Sequence, residues 1–145
     1  MNQSAEDLGV CLKAGATASG VLGEWCTRRF GPGSLTAEVL EDQEIESGRR
    51  RRRVELHWQD TAVSHAENIY LPMGLPENVR HRLLHTTVPF GVLLDEIGLV
   101  RRTEFARVLP AGGPFVLEIR AVLSLPQQGD VAYVHEFYRR SLLDL

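Results

Sequence analysis

Glu136 is the residue of this sequence whose surroundings most suggest chemistry. It stands in Val131-Ala132-Tyr133-Val134-His135-Glu136-Phe137-Tyr138, a run of β-branched and aromatic residues near the C-terminus. Side chains on a strand alternate between faces, so Glu136 shares one with Ala132, Val134 and Tyr138, which are apolar or aromatic. A carboxylate there must be paired, protonated or functional, because burying a lone charge is costly. Two readings stay open from the residues alone: a structural partner for an arginine or an edge-strand position, and a catalytic acid or base. Arg53 ends the run Arg49-Arg50-Arg51-Arg52-Arg53 and enters the next strand, where its planar fork suits a carboxylate ligand. Pro89-Phe90-Gly91, with Thr86 and Thr87 as capping candidates, reads as a helix start. Such a start offers unpaired N–H groups and a positive dipole end to an anion, and Gly91 leaves room for close backbone approach.

Composition narrows the setting. At 145 residues the chain is long enough for one domain with a real core. Its 43% hydrophobic and 24% charged residues are ordinary for a globular protein, and a net charge of −3 predicts no general affinity for nucleic acid or an anionic membrane. No apolar run approaches the roughly 20 residues that span a bilayer, and no secretory signal is visible, so cytoplasmic residence is expected. Cys11 and Cys26 are expected to be free thiols. The histidines at 57, 65, 81, 85 and 135 are scattered without zinc-ligand spacing, so no metal site is expected. The five-arginine run lacks interleaved aromatic residues, which favours a solvated strand entry over a nucleic-acid site.

The elements that must position these residues follow from periodicity. Residues 1–21 are polar, then rich in Gly, Ala and Ser, and read as a partly flexible segment or short helix. Residues 22–145 read as the domain. Val21–Phe30 reads as a helix stopped by Gly31-Pro32-Gly33, and Leu35–Ile45 as a strand. Val54, Leu56 and Trp58 alternate with Arg53, Glu55 and His57, a second strand, and Ala62–Leu71 makes a third. Pro76 opens a helix through Leu84, and Pro89 another to about Ile97. Strands Val100–Leu109, Phe115–Leu125 and Val131–Arg139 close the chain through hairpins at Ala111-Gly112-Gly113-Pro114 and Pro126-Gln127-Gln128-Gly129-Asp130. An α+β fold follows, built on one antiparallel sheet of about six strands.

These segments, in this order, resemble chorismate pyruvate-lyase, which makes 4-hydroxybenzoate. The family's Thr-Pro-Leu-Gly helix start is matched by Thr87-Val88-Pro89-Phe90-Gly91, and its Thr-Glu-Leu-Phe strand by His135-Glu136-Phe137-Tyr138. Its Met-Thr-Lys-Arg-Phe segment is matched by Cys26-Thr27-Arg28-Arg29-Phe30. Its strand-opening arginine, nineteen residues before a proline, is matched by Arg53 and Pro72. The resemblance spans about residues 22–140. It implies a twisted sheet with helices covering one side and enclosing a buried ligand pocket, in which Arg53 and backbone amides at Cys26 and Phe90 hold a ring carboxylate. Glu136 would then be the acid or base at the product hydroxyl, donating a proton to a departing enolpyruvyl oxygen. No metal or organic cofactor is implied, since aromatisation drives the elimination, and the expected partner is a small-molecule carboxylate.

The chain departs from the family in two places. Asn68 stands where the family has a second arginine, which for a dianion such as chorismate weakens binding by about 1–3 kcal/mol. The stretch from Cys26 to Arg53 is also shorter than in the family. The leading expectation is a chorismate lyase with Glu136 and Arg53 as catalytic residues and Cys26, Phe90, Gly91 and Asn68 as binding residues. An alternative is a biosynthetic cyclase or eliminase of the same fold acting on a less charged substrate. A third is a non-catalytic ligand-binding domain, since the same fold serves as the effector domain of certain transcription regulators. Those carry a winged helix ahead of it, and residues 1–21 are too short for one.

Overall fold

The computed structural model describes residues 2–14, 17–84, 93 and 97–144. Six strands form one sheet: β1 (Leu35–Glu44), β2 (Arg50–Trp58), β3 (Thr61–Tyr70), β4 (Val100–Val108), β5 (Phe115–Leu125) and β6 (Gly129–Arg139). Their order across the sheet is β1-β2-β3-β6-β5-β4, and every neighbouring pair is antiparallel. Two hairpins therefore meet at the β3–β6 seam, and β4 lies at the far edge. Each expected strand is present with its ends moved by a few residues. The largest shift is at β2, which begins inside the arginine run at Arg50. The two edge strands carry bulges, between Val39 and Glu41 in β1 and between Thr103 and Phe105 in β4. Such bulges break the regular edge that another strand would need for pairing.

Helices cover one face, as expected from the sequence. They are α1 (Asn2–Ala14), α2 (Ala18–Phe30), α3 (Glu77–Leu84) and the short α4 (Ser141–Asp144), with a 3-10 turn at Pro72–Gly74. The N-terminal segment, expected to be partly flexible or a short helix, is helical. α1 buries Ala5, Leu8 and Leu12 at 3%, 0% and 0% exposure, against Leu22, Trp25 and Cys26 of α2 and Leu117, Ile119 and Tyr138 of the sheet. Positions 5, 8 and 12 recur at helical spacing, so one stripe reaches the core despite Gly9. The expected boundary between residues 21 and 22 falls inside α2. Thr17 caps that helix, accepting from the Gly20 N–H at 3.1 Å, and Gly31 ends it at φ 89°, a conformation open to glycine. The Trp25 indole N–H donates to the Leu142 carbonyl at 2.9 Å, tying α2 to the C-terminus.

A second apolar cluster gathers Tyr70, Leu75, Val79, Leu83, Leu93 and Leu99 over Ala121, Leu123, Ala132 and Val134. Of the helix expected from Pro89 to Ile97, only Leu93, helical and fully buried, and Ile97 are among the described residues. The helix-covered face thus holds two apolar clusters side by side.

The other face is polar. There the Glu118 carboxylate receives Arg107 Nη2 at 2.8 Å and lies 2.6 Å from His135 Nε2. The His135 contact first, then Arg107, holds the Glu118 carboxyl below its ordinary value. The native state therefore takes up this proton less readily than the unfolded chain. The stabilisation is present at neutral pH and is lost as pH falls below about 4.5 through the depressed native value. Glu118→Gln should lower the unfolding midpoint at pH 7, and urea titrations should show the gap to wild type closing below that window. Leu8→Ala should cost about 2–5 kcal/mol in the same assay, a loss that a dispensable N-terminal segment would not produce.

Candidate functional site

The register of β6 against its neighbours places Glu136 opposite Ala66 on β3 and Ile119 on β5, facing the helices. Its partner comes from the edge strand β4. Arg101 Nη1 donates to Oε2 at 3.0 Å and Nη2 to Oε1 at 2.6 Å, while the Tyr138 hydroxyl donates to Oε1 at 2.7 Å. The Arg101 and Glu136 side chains are 2% and 8% exposed, so this is a forked ion pair inside the protein. Burial opposes the charged form of Arg101, and the facing carboxylate more than offsets it, raising the guanidinium pKa. Burial, then the Glu136 charge, pushes the Tyr138 phenol well up, so it stays a donor. Glu136 is the paired carboxylate of the two sequence readings, and both its oxygens are occupied.

A cavity of about 50 Å³ opens beside the pair. Its wall includes Thr17 and Ser19 from the start of α2, Val54 of β2, Asn68 of β3, Arg101 and Glu136. The volume suits one or two waters or a very small ligand, so a ring-sized molecule enters only if the wall moves. Unpartnered polar groups remain around it. Among the described residues the buried Ser19 Oγ and Arg101 Nε have no hydrogen-bond partner. The first turn of α2 also presents backbone N–H groups that no helical carbonyl can satisfy.

Arg52 adds to these unpartnered groups. It pairs in register with Asn68, on the cavity side of β2, and is 0% exposed. Its Nη1 donates to the Leu83 carbonyl at 3.1 Å, whereas Nε and Nη2 have no partner among the described residues. Asp42 and Tyr70 lie near, but the Asp42 carboxylate already takes Arg50 Nε at 2.8 Å and the Tyr70 hydroxyl at 3.0 Å. Burial, only partly offset by Tyr70 and Asp42, lowers the Arg52 pKa. A buried guanidinium in this condition gains from any anion placed against it.

The expected site residues separate accordingly. Asn68 lines the cavity with Glu136. Arg53 does not meet Glu136: it is half-buried on the opposite face, in register with Glu41 and Glu67. Period-two alternation decides this, because Arg52 shares the face of Val54, Leu56 and Trp58, and Arg53 the face of Glu55 and His57. The solvated strand entry expected for the arginine run fails at Arg52 for the same reason. Cys26 lies in the third turn of α2, where its amide belongs to the helical ladder and cannot hold a ligand. Burial raises its thiol to about 11, which makes it inert. Phe90 and Gly91 lie outside the described residues. Arg101 was missed because β4 shows no clean alternation, and its bulge at Thr103/Phe105 shifts parity midway.

No protein-family model matches the sequence, and no curated protein is significantly similar to it. Solved structures do match in fold. The C-terminal domain of the histidine utilization repressor from Pseudomonas syringae superposes with a TM-score of 0.51 at 16% identity, covering 77% of this chain and 96% of that one. The ligand-binding domain of a putative GntR-family transcriptional regulator from Bordetella bronchiseptica gives 0.51 at 11% identity, over 74% and 84%. The effector domain of PhnF from Mycobacterium smegmatis gives 0.50 at 9%, over 74% and 82%. At these identities the likeness is one of fold. The six-stranded antiparallel sheet with its helices is chorismate lyase-like, as expected from the sequence.

Removing one member of the buried pair strands the other charge. Arg101→Met and Glu136→Gln should each cost about 3–5 kcal/mol. The double variant Arg101→Met/Glu136→Gln should cost clearly less than their sum when the cycle is measured by urea unfolding.

Proposed function

We propose that this chain is a non-catalytic binding domain for a small anion, a carboxylate or phosphate, held beside Asn68 between Arg52 and the start of α2. The observation that carries this reading is the surplus of buried donors. Arg52 Nε and Nη2, Ser19 Oγ and Arg101 Nε lack partners among the described residues, while the one carboxylate lining the cavity, Glu136, is fully engaged. Arg50, Asp42 and Arg52 leave one positive charge uncompensated, which an anion of one charge would balance. Asn68 adds an amide that hydrogen-bonds without charge, consistent with a less highly charged ligand than chorismate. The fold likeness to domains described as ligand-binding and effector domains supports the same reading.

The lyase reading is kept as a second because Glu136 and Asn68, both expected at that site, do line one cavity. Catalysis there requires Glu136 to exchange a proton, and so to leave Arg101 and Tyr138 during each turnover. The binding reading requires no such exchange.

One experiment separates the two. The chain is incubated with chorismate, released pyruvate is coupled to lactate dehydrogenase, and melting is followed with acetate as a carboxylate probe small enough for the cavity. No pyruvate above background is expected. The probe at a hundredfold excess over its Kd should stabilise the fold by about 2.7 kcal/mol, and Arg52→Met should abolish that gain. Pyruvate release that is lost in a Glu136→Gln variant shown to be folded by circular dichroism would establish the lyase reading, and an undiminished gain in Arg52→Met would overturn the placement of the anion.

A further inference from the structure

The polar face of the sheet carries a second arrangement, unrelated to the cavity. In the β1–β2 register Glu38 stands directly opposite Glu55, and like charges in that position destabilise a strand pair unless something offsets them. His57 follows two residues along β2, on the same face. Its Nε2 lies 3.2 Å from Glu55 Oε1 and 3.3 Å from Glu38 Oε2. That nitrogen is enclosed and yet makes no hydrogen bond, so neither oxygen lies along the ring N–H direction.

This off-axis geometry is what a shared cation produces. Ligands about 2.1 Å from one metal ion stand roughly 3.0–3.4 Å apart at octahedral or tetrahedral angles, with oxygens to the side of the nitrogen lone pair. The three donor atoms all lie within 4.8 Å of one another. We propose that Glu38, Glu55 and His57 form a binding site for a first-row divalent cation such as zinc, with water completing the coordination. One imidazole and two carboxylates suit zinc, cobalt or manganese better than calcium or magnesium, which prefer oxygen donors throughout. A doubly charged cation would neutralise the opposed carboxylates and clamp the edge strand β1 to β2. Arg139 Nη2 lies 3.7 Å from Glu55 Oε2, a positive charge beside the second oxygen of that ligand. Spacing along the chain hides the site, because residues 38 and 55 meet only through the hairpin register.

Without a metal, a protonated imidazole between the two carboxylates would account for the cluster, so the test must separate the two. The full chain, stripped with a chelator, is titrated with Zn²⁺ by calorimetry and with Co²⁺ by visible absorption. Saturable one-to-one binding is expected, with cobalt bands of a nitrogen- and oxygen-ligated ion. His57→Ala and Glu38→Gln should each weaken binding by at least about tenfold. Glu38 is largely exposed, so its variant keeps the fold, which circular dichroism verifies. Absence of saturable binding, or unchanged affinity in both variants, would overturn the site and leave the imidazolium explanation.

Discussion

The buried contact of Arg101 with Glu136 and Tyr138 is the constraint on which the rest of the helix-covered face depends. It places two opposite charges between two apolar clusters, one under α1 and α2, the other under α3 with Leu93 and Leu99. A pair so enclosed is stable only if its geometry is held, and three strands hold it. β6 supplies Glu136 and Tyr138, β4 supplies Arg101, and β5 sets the distance between them. The pair also fixes where a ligand can sit. Side chains that must leave room for a guanidinium and a carboxylate cannot close the core there, so the cavity forms at that junction.

The electrostatic consequence runs in one direction. With Glu136 satisfied by Arg101 and Tyr138, the groups left without a partner near the cavity include the Ser19 hydroxyl, Arg101 Nε and, beyond Asn68, the guanidinium of Arg52. A site in which a carboxylate must gain and lose a proton needs that group only loosely held. A site that receives an anion needs surplus donors in a dry setting, which is the arrangement around Arg52. The same fold accommodates either task, and the proposal of anion binding rests on how its hydrogen bonds are allocated.

Much of the architecture was legible in the sequence because period-two alternation and turn residues are strong local signals. The face shared by Ala132, Val134, Glu136 and Tyr138 is the buried face of β6, as the run from Val131 to Tyr138 implies. The same rule, applied to β2, would have chosen Arg52 over Arg53, since Arg52 has the parity of Val54, Leu56 and Trp58. The spacing shared with a known family drew attention to Arg53 instead. Arg101 was not legible, because the bulge in β4 interrupts its alternation and long-range pairing leaves no local trace. α1 was obscured by its glycines, although Ala5, Leu8 and Leu12 carry the helical stripe that buries it. The convergence of Glu38, Glu55 and His57 depends on hairpin register, which spacing alone does not reveal.

The central claim is that the uncompensated guanidinium of Arg52, and not a proton held by Glu136, is what the site offers a ligand. Arginine side-chain ¹⁵N–¹H spectra recorded during a titration with acetate test it most directly. The account predicts that the Arg52 Nε–H resonance moves in a saturable manner, while the Nη resonances of Arg101 keep the signature of their bond to Glu136. A titration that leaves Arg52 unmoved and releases Arg101 from Glu136 would contradict it.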